Sequence, residues 1–348
     1  MRIGFFTDSY FPEVDGVTYT LKLWREKLEA RGHEVYVIYP DGAYEPGPRE
    51  IPVPSVSNPF YDGYRIPLFR PLATLPALDI VHCHGPAPVG ILGRYYAWKH
   101  GVPSVYTHHT PLEEYFEQSI GITSIANGLA KGYVPLETAF LRQFDVVTAS
   151  TKRIDRRVSH VPLPVGIDMD FFAPTSEDWY SGETVIGYSG RLSMEKNVSE
   201  ILKVAERLPE YEFVIIGEGP RREHLQIQAP TNVTLREFLP REELPVFYSS
   251  IDVFVTASTG DTLGLSPLEA NACETPVVAP DVSPFAETIG PDNGERFPFG
   301  NTDTMAAAIE RGLTRTYDPR AAVAEYDVIR TLDRLEAIYQ RIGTKSDR

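Results

Sequence analysis

Short apolar runs alternate with stretches of helical spacing along most of this chain. The runs at 2–6 (RIGFF), 34–39 (EVYVIY), 79–84 (DIVHCH), 103–110 (PSVYTHHT) and 145–150 (DVVTAS) have the length and β-branched content of buried strands. Between the first two, Leu21, Trp24, Leu28 and Ala30 recur at helical spacing, so a helix is expected over 18–31, stopped by Gly32. Residues 120–142 read as helical segments joined at Gly132, and 152–157 as a short basic helix. The alternation restarts at 184–189 (TVIGYS) and continues through strands at 213–216, 233–239, 251–256 and 276–279. Helices are expected over 200–208, 241–250 and 302–315, with at least one more within 318–341. Strand–helix–strand order of this kind predicts an α/β architecture with parallel sheets. Residues 40–76, rich in Pro and Gly, read as a loop excursion outside the core.

Composition narrows the picture. A chain of 348 residues is long for one core and comfortable for two domains. With 42% hydrophobic and 23% charged residues and no long apolar stretch, it is globular and is expected to have no membrane-spanning segment. The opening MRIGFFTDSYF runs straight into a strand and lacks the pattern of a secretory signal. Cys83 and Cys273 lie far apart, which argues against a disulfide framework and fits a reducing cytoplasm. A net charge of −15 argues against nucleic acid as a partner.

Candidate chemistry sits mostly at strand ends. The stretch 258–280 (STGDTLGLSPLEANACETPVVAP) follows a strand, turns at Gly264 and enters a helix, for which Ser266 reads as N-cap and Pro267 as first residue. Backbone N–H groups at such a helix start form an anion site. Asp261 and Glu269 bracket it and suit hydroxyls, those of a ribose or a sugar, better than phosphate. After the strand at 184–189, GRLSMEKN places Arg191 and Lys196 behind Gly190, two cations suited to a diphosphate. No G-x-G-x-x-G follows the first strand, so the opening βαβ is not a dinucleotide fingerprint; its loop carries Pro12, Gly16 and Val17 instead. Alternation places His82 and His84 on one face of their strand and Cys83 on the other. Consecutive strand positions cannot converge on one ion, and no metal is expected there. Asp168 and Asp170 spell D-x-D, but in the link between the halves, so no metal is expected there either.

Taken together, these segments resemble the retaining GT-B glycosyltransferases, especially family 4. The stretch 258–280 is similar to that family's E-x7-E segment: Gly264, Leu265, Leu268, Glu269, Ala270, Ala272, Cys273, Pro276, Val277 and Val278 match, whereas Asp261 replaces Glu, Asn271 replaces Met and Glu274 replaces Gly. The 190–197 segment matches G-R-L-x-x-E-K-[GN], residues 103–110 match P-x-V-x-T-x-H-T, and 164–174 resembles the family hinge with Val165 for Asn. The resemblance implies two Rossmann-like domains with mainly parallel sheets facing one another across a cleft. They are expected over 1–164 (acceptor side) and 165–325 (nucleotide sugar), with 326–348 as a helix crossing back. It implies transfer of a hexose from a UDP- or GDP-sugar, with retention, no metal and no further cofactor. By the same resemblance His109, Arg191, Lys196, Asp261 and Glu269 are expected to form the catalytic set. Gly16, Val17, Gly190, Gly219, Gly264 and Leu265 are expected to bind donor, and the resemblance implies the same for Glu237, Phe238 and Leu239 by their backbone near the base, although Glu237 stands where Gly is usual.

The continuation of the 103–110 segment into Glu113, Glu114 and Tyr115 is most similar to the lipid-acting glucosyl- and mannosyltransferases of the family. Phe60, Tyr61, Tyr64 and Phe69, interleaved with Arg65 and Arg70, would suit a lipid interface. A membrane-lipid hydroxyl is therefore the expected acceptor, reached by a cytoplasmic enzyme in peripheral contact with the inner face of the membrane. A soluble glycan or polyol acceptor, a sugar-nucleotide epimerase of the same fold, and a non-catalytic sugar-nucleotide-binding subunit are the alternatives.

Overall fold

The structure, a computed structural model, describes residues 1–12, 16–57, 65–68, 75–109, 123–151, 154, 158–180 and 182–346; for 123–131 and 345–346 it describes the backbone path alone. The chain divides into two compact units, Met1–Gly166 with Ile329–Arg348, and Ile167–Val328.

The first unit opens with β1 (Arg2–Phe6), α1 (Gly16–Ala30) and β2 (Glu34–Pro40). It continues through β3 (Glu50–Val53), β4 (Ser55–Ser57), β5 (Arg65–Pro67), β6 (Ile80–Cys83), α2 (Pro88–His100), β7 (Ser104–His108), α3 (Thr123–Leu141), β8 (Val146–Ala149) and β9 (Val161–Pro162). Among the described residues, seven strands form a parallel sheet in the order β3-β2-β1-β6-β7-β8-β9, and β4 pairs with β5 as a separate antiparallel ribbon. The strand interiors are apolar on both faces because helices cover both: Ile3, Phe5, Val37, Ile38, Val81 and Val105 are fully buried.

Three expectations change here. The 40–76 stretch is not wholly outside the core: Val53 is buried, and β3 adds to the sheet edge by pairing with β2, since its β-branched residues match that strand in register. The segments expected to join at Gly132 are one helix, α3, which runs through Gly132 and Pro135. The strand at 145–150 is not the last of its half, because β9 pairs beyond it. The basic helix expected at 152–157 falls largely outside the described residues.

The second unit contains β10 (Val185–Ser189), α4 (Val198–Ala205), β11 (Glu212–Ile216), α5 (Arg222–Gln228), β12 (Val233–Arg236), α6 (Leu244–Ser249) and β13 (Val253–Val255). After these come α7 (Leu265–Ala272), β14 (Val277–Pro280), α8 (Phe285–Thr288), β15 (Gly294–Phe297), α9 (Thr302–Thr314) and α10 (Pro319–Ala322). Its sheet, again parallel, has the order β12-β11-β10-β13-β14-β15. A core of Ile186, Ile201, Leu202, Phe213, Ile215, Val253 and Ile309 fills the layer between this sheet and α4 and α9.

The last helix, α11 (Val328–Ser346), belongs to the first unit from Ile329 onward. Leu332, Leu335, Ile338, Tyr339 and Ile342 are buried along one stripe at helical spacing. Glu336 on this helix pairs with Arg31 and with His33, and the Thr331 hydroxyl donates to the Pro164 carbonyl at 2.9 Å.

In both sheets the strand order reverses beside the first strand: at β1, between β2 and β6, and at β10, between β11 and β13. Connections leave in opposite directions at such a point and open a crevice at the carboxyl ends of the two strands.

Candidate functional site

In the second unit the reversal point is built from the segment after β10 and the segment after β13. The Gly190 N–H donates to the Ile216 carbonyl at 3.0 Å, and the Tyr188 hydroxyl donates to the Arg191 carbonyl at 3.1 Å. A short turn of 3-10 helix at Met194–Lys196 ends on Asn197 in the left-handed region, φ 49°. The Asn197 amide donates to the Glu195 and Ala257 carbonyls and to the Thr259 hydroxyl, each at 3.1 Å, while the Thr259 N–H donates to the Glu195 carbonyl at 3.0 Å. The two segments are thus sewn together, which brings Lys196 Nζ to 2.6 Å from Asp261 Oδ1. Arg191, five residues before Lys196 on the same segment, is exposed and has no ion pair among the described residues. Gly219 lies where a side chain has no room: a Cβ there would come within 2.6 Å of the Leu192 carbonyl oxygen.

Helix α7 starts two residues earlier than its sequence suggests. Gly264, at φ 77°, is the N-cap, and Ser266 lies inside the first turn, a correction with a clear cause. Only glycine enters the left-handed region without strain, and a Cβ at this position would also press on Phe285 at 2.7 Å. Pro267 costs nothing in a first turn, where N–H groups have no helical partner. Glu269, one turn further, is buried. The Tyr248 hydroxyl donates to its Oε2 at 3.1 Å, and Arg241 lies 3.9 Å from Oε1. Burial pushes the Glu269 carboxyl above the usual range, with Arg241 and Tyr248 opposing. Arg241 itself lies over the rings of Phe171 and Phe172, at 5.2 and 5.0 Å.

The departures from the family pattern acquire physical roles. Asn271 is fully buried; its amide donates to the carbonyls of Thr275 (3.0 Å) and Asn293 (2.9 Å), and its own oxygen accepts from Asn293 at 2.9 Å. Glu274 has φ 70°. Its N–H reaches the Asn271 carbonyl and that of Thr275 the Ala270 carbonyl, both at 3.0 Å, the bond pair that closes a helix on a left-handed residue. Glycine is the usual occupant of that position because it has no Cβ to strain. Glu237 and Phe238 are exposed beyond β12 and Leu239 is half-buried.

In the first unit, Gly16 is the exposed first residue of α1 and Val17 is half-buried. His109 follows β7 and is buried; its Nε2 lies 3.0 Å from His84 Nδ1. His82 and His84 do share a face, their ring centroids 4.0 Å apart, and both are held well below the usual histidine range, first by burial. His82 bonds to the hydroxyls of Tyr339 and Thr107, each at 2.6 Å. Arg65 turns inward, its Nε donating to the Ser55 hydroxyl at 2.7 Å. Glu113, Glu114 and Tyr115, with Phe60, Tyr61, Tyr64, Phe69 and Arg70, lie outside the described residues. In the link, Asp168 accepts the N–H of Phe171 at 3.4 Å.

Sequence reasoning passed over Asp8, Arg241 and Tyr248. Asp8 accepts the N–H groups of Ala87 (3.1 Å) and Val89 (2.9 Å) at the start of α2, and burial pushes its carboxyl up to about 6. The signal was present: GPAPVG opens a helix with no side chain able to cap it, so the cap must come from elsewhere.

Comparison with known proteins adds a consistent pattern. Residues 14–169 match the family described as "Glycosyltransferase Family 4" and residues 171–327 the one described as "Glycosyl transferases group 1". Alpha-monoglucosyldiacylglycerol synthase of Acholeplasma laidlawii is 30% identical over 318 residues, covering 80% of each chain. GDP-mannose-dependent alpha-mannosyltransferase of Mycolicibacterium smegmatis is 29% identical over 324 residues, covering 84% of this chain and 82% of that protein. Among solved structures, sucrose-phosphate synthase from Thermosynechococcus elongatus superposes with a TM-score of 0.76 at 19% identity, covering 99% of both chains. The Anabaena protein HepE in complex with UDP and glucose gives 0.72 at 17% identity, covering 97% of this chain and 99% of that one. These two likenesses are of fold.

Proposed function

The chain belongs to the group 1 and family 4 glycosyltransferases, with the GT-B fold, and from that premise we propose that it moves a hexose from a nucleotide-diphosphate sugar to a hydroxyl of a membrane lipid, with retention and without a metal ion. The observation that carries the donor half is the pairing of Lys196 with Asp261 at the reversal point of a parallel sheet, with the exposed Arg191 on the segment that leads into it. Departure of the diphosphate builds negative charge, and Arg191, Lys196 and the first turn of α7 stabilise it. Glu269 holds the ribose and Asp261 the sugar hydroxyls. Lys196 is held in place by Asp261 until the donor supplies a second anion. The departing phosphate takes the acceptor's proton, so no residue serves as covalent nucleophile.

For the acceptor, support comes from the relative named as a monoglucosyldiacylglycerol synthase and from one helix face. Ile91, Tyr95 and Trp98 lie one turn apart on α2 and are 45%, 41% and 69% exposed, with Lys99 beside them. An apolar stripe with a cation at its edge suits the boundary of headgroups and acyl chains, in a peripheral enzyme acting at the cytoplasmic leaflet. No helix among the described residues is long and apolar enough to cross a membrane.

The test is transfer from UDP-glucose and GDP-mannose, in EDTA, to diacylglycerol in vesicles and to soluble polyols and glycans. Lipid product in EDTA is the expected result. Product on soluble acceptors alone overturns the lipid half. Loss of activity in EDTA with recovery in Mn²⁺ overturns metal independence and returns attention to Asp168 and Asp170. Conversion of the nucleotide sugar to its epimer, or binding with no turnover, overturns transfer itself.

A further inference from the structure

Three imidazoles lie in a buried row in the first unit, and their protons can be placed by bookkeeping of donors and acceptors. Thr148 Oγ1 lies 3.4 Å from the Tyr106 carbonyl, which can only accept, so Thr148 donates to it. Thr148 therefore accepts from Thr107, 2.7 Å away. Having given its one proton, Thr107 accepts from His82 Nε2 at 2.6 Å. His82 then has a lone pair on Nδ1, which accepts from the Tyr339 hydroxyl at 2.6 Å. Every donor in this chain is used once, and His82 is neutral.

His84 stacks on His82 at 4.0 Å between centroids, with the apolar rings of Phe5 and Trp24 at 4.9 and 5.9 Å. Its Nε2 is buried and has no hydrogen-bond partner among the described residues. A proton there would be an orphaned N–H, costing on the order of 1–3 kcal/mol; a bare lone pair is the lesser cost. The proton therefore sits on Nδ1, 3.0 Å from His109 Nε2, and His84 is the donor of that bond. With its Nε2 lone pair occupied, His109 keeps its own proton on Nδ1.

We propose that His84 is a positioning residue that fixes His109 as the neutral Nδ1–H tautomer, so that His109 serves the site as a hydrogen-bond donor through Nδ1, alongside the contacts it already makes, and acts neither as base nor as cation. The proposal rests on the reading of His109 as a site residue. The choice of tautomer by the partner of the opposite nitrogen is a general property of histidine. A second charge in the row is opposed by burial and by the neighbouring rings, which hold His82 and His84 well down.

The test combines nitrogen NMR of the full chain labelled with ¹⁵N-histidine and transfer kinetics. In the wild type, His109, assigned by its loss in His109→Gln, should show a protonated Nδ1 and a bare Nε2. His84→Asn, whose amide nitrogen takes the place of Nδ1, should preserve that pattern, and His84→Ala should lose it. Turnover should fall on the order of ten-fold in His84→Ala, as when a supporting hydrogen bond is lost, and His84→Asn should recover most of the loss. A wild-type His109 protonated on Nε2 overturns the proposal, and that spectrum needs no variant to fold. Equal turnover in His84→Ala and the wild type also overturns the positioning role. If His109→Gln transfers at the wild-type rate while the tautomer is as stated, the role of His109 at the site fails and the proton placement stands.

Discussion

Glu274 and Glu269 belong to one helix and its closing turn, yet their surroundings act on them differently. Glu274 is exposed and left-handed, and a non-glycine residue there costs about 1 kcal/mol. Glu274→Gly should therefore raise the melting temperature without touching turnover, measured by calorimetry and by transfer rate. Glu269 is strained through its charge. Its folded pKa is raised above 4.5, so its contribution to stability is fully present below 4.5 and is lost as pH rises through the raised value. Glu269→Gln should then gain stability relative to wild type at pH 7 compared with pH 4, while losing activity. A gain that is the same at both pH values would contradict the burial argument. The cations make the third residue-scale prediction: Arg191→Ala or Lys196→Ala should lower turnover about 10²-fold in a folded protein. Unchanged rates in both variants would remove them from the site.

At the scale of elements, α2 carries the most consequential exposed surface. Ile91→Ser with Trp98→Ser should weaken co-sedimentation with anionic vesicles and leave the free energy of unfolding within about 0.5 kcal/mol of wild type, since neither side chain is in the core. Vesicle binding that survives the double change would move the contact elsewhere. This helix also shows where sequence stops being legible. Most strands and the helices at α1, α4 and α9 stood out through their periodicity. α2 went unread because its cap, Asp8, lies 79 positions away and its outward face is apolar, which blurs the helical contrast. β3 was hidden by its Pro and Gly neighbours, whereas α3 was read as helical and only the break expected at Gly132 was wrong, since the helix runs on through that glycine and Pro135.

For the whole molecule, the motifs were legible because each sits at a strand end with its own local chemistry, as Gly190, Arg191 and Lys196 do. Their pairing was not. Lys196 meets Asp261 only because β10 and β13 lie side by side, and Tyr248 meets Glu269 only because α6 and α7, on either side of β13 in sequence, pack together; neither pairing leaves a mark in local pattern. The bond between His82 and Tyr339, 257 positions apart, is the extreme case.

That bond has a consequence for the order in which the protein is made. The ribosome delivers residues 1–166 first, yet the stripe formed by Leu332, Leu335, Ile338, Tyr339 and Ile342 comes last and is part of the same unit. During synthesis of everything between, the first sheet stands with His82 lacking its hydroxyl partner and an apolar face uncovered, while the second unit has all of its own residues from Ile167 onward. The N-terminal half is thus the half completed second, and its uncovered apolar face is open to aggregation until residues 332–342 have been made.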